Sequence, residues 1–235
     1  MSVTITVDGR ELEATEGETL VEATARHGIR IPTLCSSPEH RSVATCRVCT
    51  VRVNGQVVAG CTVPVRDGLT VELDTPELRD LRRQVVELLF SEGLHNCPSC
   101  EKSGFCRLQA VALDLEMTSS RFPYRHPRRE ADRGSARIWL ERDRCILCHR
   151  CVDQVRDPDT GDRVFAMVGR GPGARIEIDP DRADRLTDEQ VANAVELCPV
   201  GAILHKGRGY RTPIGQRPFD VRPVRERDLE AAVDD

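Results

Sequence analysis

An α+β fold divided among several small modules is predicted for this chain by three observations. Five strand-like segments and one helical segment crowd into the first 75 residues or so, with turn signals between them. Hydrophobic residues make up only 39% of the chain and aromatics 3%, against 31% charged, so there is little apolar surface for one large core. The 11 cysteines fall into three groups built on C-x2-C pairs, a pattern of metal ligation and not of a disulfide framework. At 235 residues the chain is long enough for two to three small cores, and bound metal would supply part of what those cores lack.

The elements follow in order. Residues 3–13 alternate around Asp8-Gly9, a two-residue hairpin signal. Thr19 is a candidate N-cap for a helix that stops at Gly28. Two further strands flank Asn54-Gly55, and LTVEL at 69–73 gives a fifth. Five strands and one helix in residues 1–76 suit a β-grasp domain. Thr75-Pro76 then opens a second helix, its apolar face marked by Leu78, Leu81, Val85, Leu88 and Leu89, and Gly93 ends it. Another short helix follows Cys106, and the Arg- and Pro-rich stretch 119–137 reads as a linker or docking arm, so residues 77–137 form a small helical module with its linker. Residues 138–210 make a third unit, in which Thr187 and Gln190 form a capping box for the helix leading to Cys198-Pro199. Residues 211–235 lack periodicity and are expected to be an extended tail lying on a partner, or disordered.

Cys35, Cys46, Cys49 and Cys61 follow C-x10-C-x2-C-x11-C. Plant-type two-iron sites share the central pair and the distant last thiol, with a shorter first gap; a structural zinc with the same four thiols is the alternative. Cys145, Cys148 and Cys151 form C-x2-C-x2-C, three corners of one cubane, and Cys198, followed by proline, is the thiol left to complete it. His149 inside that triplet is expected to be a neighbour and not a ligand. Cys97, Cys100 and Cys106 remain, a C-x2-C-x5-C group one ligand short. His95, two positions before Cys97, is the nearest candidate for the fourth place, with His126 the main competitor and His27, His40 and His205 in less suitable contexts.

Other chemistry is sparse. Gly169, Gly171 and Gly173 give G-x-G-x-G without dinucleotide-binding spacing, so a loop is expected there, and no P-loop occurs. The net charge of -4 argues against a general nucleic-acid binder. The longest apolar run, VVELLF at 85–90, is far too short to span a bilayer. MSVTITVDGR reads directly as strand and turn, and a cytoplasmic location with reduced thiols is expected. Lysine occurs only at positions 102 and 206, arginine supplying the remaining basic residues.

The order of these modules resembles the N-terminal part of the large iron-sulfur subunit of respiratory complex I. More closely, EGLHNCPSCEKSGFCRLQA, SRFPYR, IWLERDRCILCHRCV, GRGPGARIEID and ELCPVGAIL resemble the diaphorase iron-sulfur subunits (HoxU type) of soluble NAD-reducing nickel-iron hydrogenases. The likeness runs along essentially the whole chain. In the complex I pattern three residues separate the histidine from the first cysteine, a spacing that falls on Gly93 here, whereas the hydrogenase form matches His95.

The resemblance implies an N-terminal β-grasp 2Fe-2S ferredoxin domain, a 4Fe-4S module with one histidine and three cysteines, and a C-terminal ferredoxin-like 4Fe-4S domain. It implies one 2Fe-2S cluster on Cys35, Cys46, Cys49 and Cys61, one 4Fe-4S cluster on His95, Cys97, Cys100 and Cys106, and a second on Cys145, Cys148, Cys151 and Cys198. The chain would then be a subunit of an oxidoreductase with no catalytic residue of its own. It would relay electrons between a flavin subunit binding FMN and NAD(H) and the small and nickel-iron large subunits of a hydrogenase. The equivalent subunit of an NAD-dependent formate dehydrogenase or of complex I shares that role. A zinc-stabilised scaffold or nucleic-acid module is the reading from a different class.

Overall fold

The computed structural model describes residues 1–37, 43–125, 128–210 and 212–222. Two compact units account for the described residues: those of 1–87 with 110–121 and 222, and those of 88–109 with 122–221.

In the first unit, β1 (Ser2–Val7) and β2 (Arg10–Thr15) pair antiparallel, Val7 opposite Arg10. Asp8 and Gly9 both take positive φ, 45° and 80°, as a type I′ turn requires. Asn54 and Gly55 repeat the device, with φ of 47° and 81°, between β3 (Thr50–Val53) and β4 (Gln56–Ala59). β5 (Thr70–Glu72) lies between the hairpins, parallel to β1 and antiparallel to β3, giving the order β2-β1-β5-β3-β4. This mixed sheet with a crossing helix is the expected β-grasp. The helix, α1 (Leu20–Arg26), buries Leu20 and Ala23 among Ile5, Val7, Val51 and Val71. Its capping box is reciprocal: Thr19 Oγ1 accepts from the Glu22 amide at 3.3 Å, and Glu22 accepts from the Thr19 amide at 2.7 Å.

α2 (Pro76–Glu92) starts where Thr75 Oγ1 accepts from the Leu78 amide at 3.2 Å. Two charged side chains on it are buried, and both are satisfied. Arg82 donates to the carbonyls of Thr50 at 2.9 Å and Leu73 at 2.6 Å, tying the helix to β3 and the end of β5. Glu87 accepts from Arg83 at 2.9 Å and Arg121 at 2.8 Å. Arg121 belongs to the stretch expected to be a linker; it also reaches Asp80 at 2.7 Å. Farther along, Arg125 donates its amide to the Ser91 carbonyl and Arg129 its amide to Asp143, so much of this arginine-rich arm is hydrogen-bonded to the chain itself. α3 is Arg107–Asp114.

The second unit closes on a two-stranded sheet, β6 (Ile138–Leu140) against what becomes β9 (Ile203–His205). Between them run α4 (Arg150–Gln154), the hairpin β7 (Phe165–Val168) and β8 (Arg175–Ile178), α5 (Pro180–Arg185) and α6 (Asp188–Leu197). The G-x-G-x-G stretch turns the β7–β8 hairpin, where a Cβ on Gly169 would stand 2.3 Å from the Gly173 carbonyl oxygen. Phe165, Ile176, Ile178, Leu186 and Val191 are buried in this unit.

The box predicted for α6 is present: Thr187 Oγ1 accepts from the Gln190 amide at 3.2 Å, and the Gln190 side chain accepts from the Thr187 amide at 2.9 Å. Thr187→Ala is expected to cost about 1 kcal/mol in chemical denaturation, with the iron content unchanged, because only the first turn of α6 loses its cap.

The tail departs from an extended course over its described part. A short helix, α7 (Pro218–Val221), places the Phe219 amide 3.2 Å from the Gly104 carbonyl, and Tyr210 donates its hydroxyl to the Pro98 carbonyl at 3.2 Å. Residues 223–235 lie outside the described residues.

Candidate metal centres

The β3–β4 hairpin builds half of the first thiol group. Pairing of Thr50 with Ala59 sets Cys49 across from Gly60, whose amide donates to the Cys49 carbonyl at 2.9 Å. Cys61, next along, brings its Sγ within 3.1 Å of the Cys49 Sγ. Gly60 permits this closeness: a Cβ there would come within 3.2 Å of the Cys49 carbonyl oxygen and 3.3 Å of Val51 Cγ2. Cys35 and Cys46 make a second hydrogen-bonded thiol pair. That bond and burial push the Cys46 thiol up, whereas the hydrogen bond with Cys61 lowers that of Cys49. The four buried thiols thus divide two and two, the division a two-iron cluster uses. His40 lies outside the described residues.

The second group hangs from the end of α2. Cys97 opens a single 3-10 turn, Cys100 closes it, and Cys106 stands immediately before α3, its Sγ accepting from the Gln109 amide at 3.5 Å. His95, Cys97, Cys100 and Cys106 border one cavity, together with Phe90, Arg144 and Gly201. The Leu89 carbonyl accepts a hydrogen bond from the His95 imidazole, while Nε2 is buried without a hydrogen-bond partner. The bonded nitrogen is therefore Nδ1, and the Nε2 lone pair is left for a metal, the arrangement that orients ligating histidines. Burial lowers the His95 pKa to about 4, so the ring is neutral at pH 7. Burial pushes the Cys106 thiol up to about 12 and raises that of Cys97.

Cys145, Cys148, Cys151 and Cys198 border a second cavity with Ile176 and Val200, and His149 also stands at its edge. Leu147 and His149 take left-handed φ of 54° and 68°, and the Leu147 amide points at the Cys145 Sγ, 3.4 Å away. Left-handed residues alternating with others turn backbone N–H groups to one side, which suits a negatively charged cluster. Cys198 arrives as the C-cap of α6. Burial pushes the thiols of Cys145 and Cys148 up to about 11 and about 12, and that of Cys151 well up.

Buried thiols with raised pKa values become thiolates when metal cations replace their protons. Among the described residues no three His, Cys, Asp or Glu side chains converge as a single-ion site. Donors ringing a cavity suit a polynuclear cluster better than one zinc. Of the competing histidines, His27 Nε2 is 2.7 Å from the Glu13 carbonyl oxygen and His205 sits on β9; neither borders the cavity of Cys97, Cys100 and Cys106. His126 lies outside the described residues. Three further contributors carry no ligand motif in the sequence. A Cβ on Gly93 would fall 2.2 Å from His95 Nε2, a Cβ on Gly201 would fall 2.6 Å from Cys100 Sγ, and Lys102 is buried near Cys106 and Cys198.

A β-grasp sheet with paired thiols, a cavity ringed by one histidine and three cysteines, and a four-cysteine cavity in a ferredoxin-like unit together define an iron-sulfur electron carrier. Family models match in the same order: a 2Fe-2S iron-sulfur cluster binding domain over residues 1–76, the NADH-ubiquinone oxidoreductase-G iron-sulfur binding region over 82–121, and the ferredoxin-like domain of NADH-quinone oxidoreductase subunit 3 over 135–204. The gamma subunit of the NAD-reducing hydrogenase HoxS of Cupriavidus necator is 54% identical over 230 residues, 98% of each chain. The G-type subunit of the NADH-quinone oxidoreductase of Streptomyces coelicolor is 32% identical over 93% of this chain, which spans only 26% of that longer protein. A chain in the crystal structure of an NAD+-reducing NiFe hydrogenase in the H2-reduced state superposes with a TM-score of 0.89 at 37% identity, covering 99% of both chains. The chain belongs to the family of NAD-reducing hydrogenase gamma subunits.

Proposed function

We propose that this chain is the electron-relay subunit of a hydrogen:NAD+ oxidoreductase. In this reading a 2Fe-2S cluster is held by Cys35, Cys46, Cys49 and Cys61, one 4Fe-4S cluster by His95, Cys97, Cys100 and Cys106, and another by Cys145, Cys148, Cys151 and Cys198. One observation carries it. All 11 cysteines stand in three groups, and the group that is one thiol short has the unpartnered Nε2 of His95 at its cavity. When bound, such clusters supply one-electron redox chemistry with little reorganisation. The chain's own residues hold them, exclude water and aim N–H groups at sulfur, as the amides of Leu147 and Gln109 do.

The two-electron chemistry at either end belongs to partners: a flavin subunit that binds FMN and NAD(H), and a hydrogenase module made of a small subunit and a nickel-iron large subunit. No described helix is long and apolar enough to cross a membrane, and we assign the chain to the cytoplasm, where thiols stay reduced for metal.

The test is reduction of the anaerobically purified chain. Dithionite is expected to bleach its brown colour, while NADH alone leaves it unchanged until the flavin subunit is added. Reduction by NADH without that partner, or zinc in place of iron, would overturn the proposal.

A further inference from the structure

Lysine occurs at only two positions in a chain whose other basic residues are arginine, and one of them, Lys102, lies inside the C-x2-C-x5-C group. It is 7% exposed. Its Nζ donates to the carbonyls of Val195 at 2.6 Å and Glu196 at 3.4 Å, in the last turn of α6, which leads directly to Cys198. Both of these partners are main-chain carbonyls and neither is a carboxylate.

The surrounding backbone is equally close. The Arg107 amide, next to Cys106, donates to the Pro199 carbonyl, next to Cys198, at 2.9 Å. A Cβ on Gly201 would meet Lys102 Cβ at 3.2 Å as well as Cys100 Sγ, so only glycine lets the two cysteine loops seat this tightly. Burial opposes the charge of the ammonium; as thiolates, Cys198 and Cys106, one from each of the two neighbouring cysteine groups, would favour it, as does Glu196.

We propose that Lys102 is a positioning residue whose fixed positive charge, held between the Cys106 and Cys198 loops, raises the reduction potentials of both 4Fe-4S clusters. The inference rests on the cluster assignment above. A buried cation hydrogen-bonded to main-chain carbonyls is held by the partial negative charge at the C-terminal end of α6, and would be held further by the net negative charge of the cluster-thiolate units. Each unit gains one negative charge on reduction, and a nearby cation in a low-dielectric setting stabilises that added charge. A compact ammonium reaches two adjacent carbonyls more readily than the planar fork of a guanidinium does, so arginine would hold the charge in a poorer position.

The experiment is an EPR-monitored potentiometric titration of the full chain as wild type, Lys102→Met and Lys102→Arg, with iron and acid-labile sulfide measured on each sample. Removal of the charge is expected to lower the reduced-to-oxidised ratio of both 4Fe-4S clusters about tenfold at a fixed potential, ~59 mV for a one-electron couple. Lys102→Arg is expected to recover part of that shift. The 2Fe-2S signal, whose proposed ligands lie in the first unit, is the internal reference and should hold its midpoint. If Lys102→Met loses iron, Lys102→Gln, which can still donate to Val195, takes its place. Loss of iron in both variants marks a structural residue and overturns the proposal, as do unmoved potentials or an equal shift in all three clusters. Absence of iron from the wild type would instead defeat the cluster assignment itself.

Discussion

His95→Ala is expected to lower the iron of the anaerobically purified chain from about ten to about six atoms per chain, or to leave a damaged three-iron cluster with its own EPR signal. The ring brings to the cavity of Cys97, Cys100 and Cys106 a nitrogen whose lone pair is unclaimed, since Nε2 is buried without a partner and the other nitrogen is committed to the Leu89 carbonyl. Removing it leaves three thiols, two of them with pKa values raised by burial. The loss should be confined to this site. The 2Fe-2S spectrum and the signal from the other 4Fe-4S cluster should persist, because neither group uses His95. His95→Cys is the complementary variant: a thiolate in place of imidazole adds negative charge, and a cluster that assembles on it should show a lower midpoint potential than the wild type. An unchanged iron count in His95→Ala would remove this histidine from the ligand set and direct attention to His126.

Much of this architecture is legible in the sequence because its determinants are local. Asp8-Gly9 and Asn54-Gly55 announce their hairpins through residues that tolerate positive φ, and Thr19 and Thr187 announce their helices through contacts three residues away. The cysteine groups are legible for a chemical reason, since clustered thiols at C-x2-C spacings are a pattern of metal ligation and not of a disulfide framework. The β7–β8 hairpin is not. VFAMV at 164–168 is a short apolar run without alternation, and the glycine-rich turn after it reads first as a failed nucleotide-binding motif. The two-and-two division of the first thiol group is equally hidden, because Cys49 meets Cys61 only through the Thr50–Ala59 register. Lys102 stands out in the sequence only as one of two lysines; its partner Val195 is 93 residues away and no local pattern connects them.

Gly93→Ala is expected to displace the proposed ligand His95 from its cavity without replacing the histidine. Gly93 follows the last residue of α2 and does not have positive φ, so its backbone accepts alanine without strain. The obstacle is space alone. The added Cβ would stand 2.2 Å from His95 Nε2, 2.7 Å from Cδ2 and 3.1 Å from the Asp143 carbonyl oxygen. The carbonyl belongs to a backbone held by the Leu94 amide at 2.9 Å, so the ring must be what yields. A displaced ring breaks its hydrogen bond to Leu89 and carries Nε2 away from the cavity. Pulsed EPR of the reduced protein should then lose the nitrogen hyperfine coupling of a coordinated imidazole, and iron should fall toward the His95→Ala value. Retention of the nitrogen coupling would mean that the ring can shift while still bound. The volume beside position 93 holds one imidazole, and here His95 fills it, so glycine at 93 and histidine at 95 form one determinant of the site and not two.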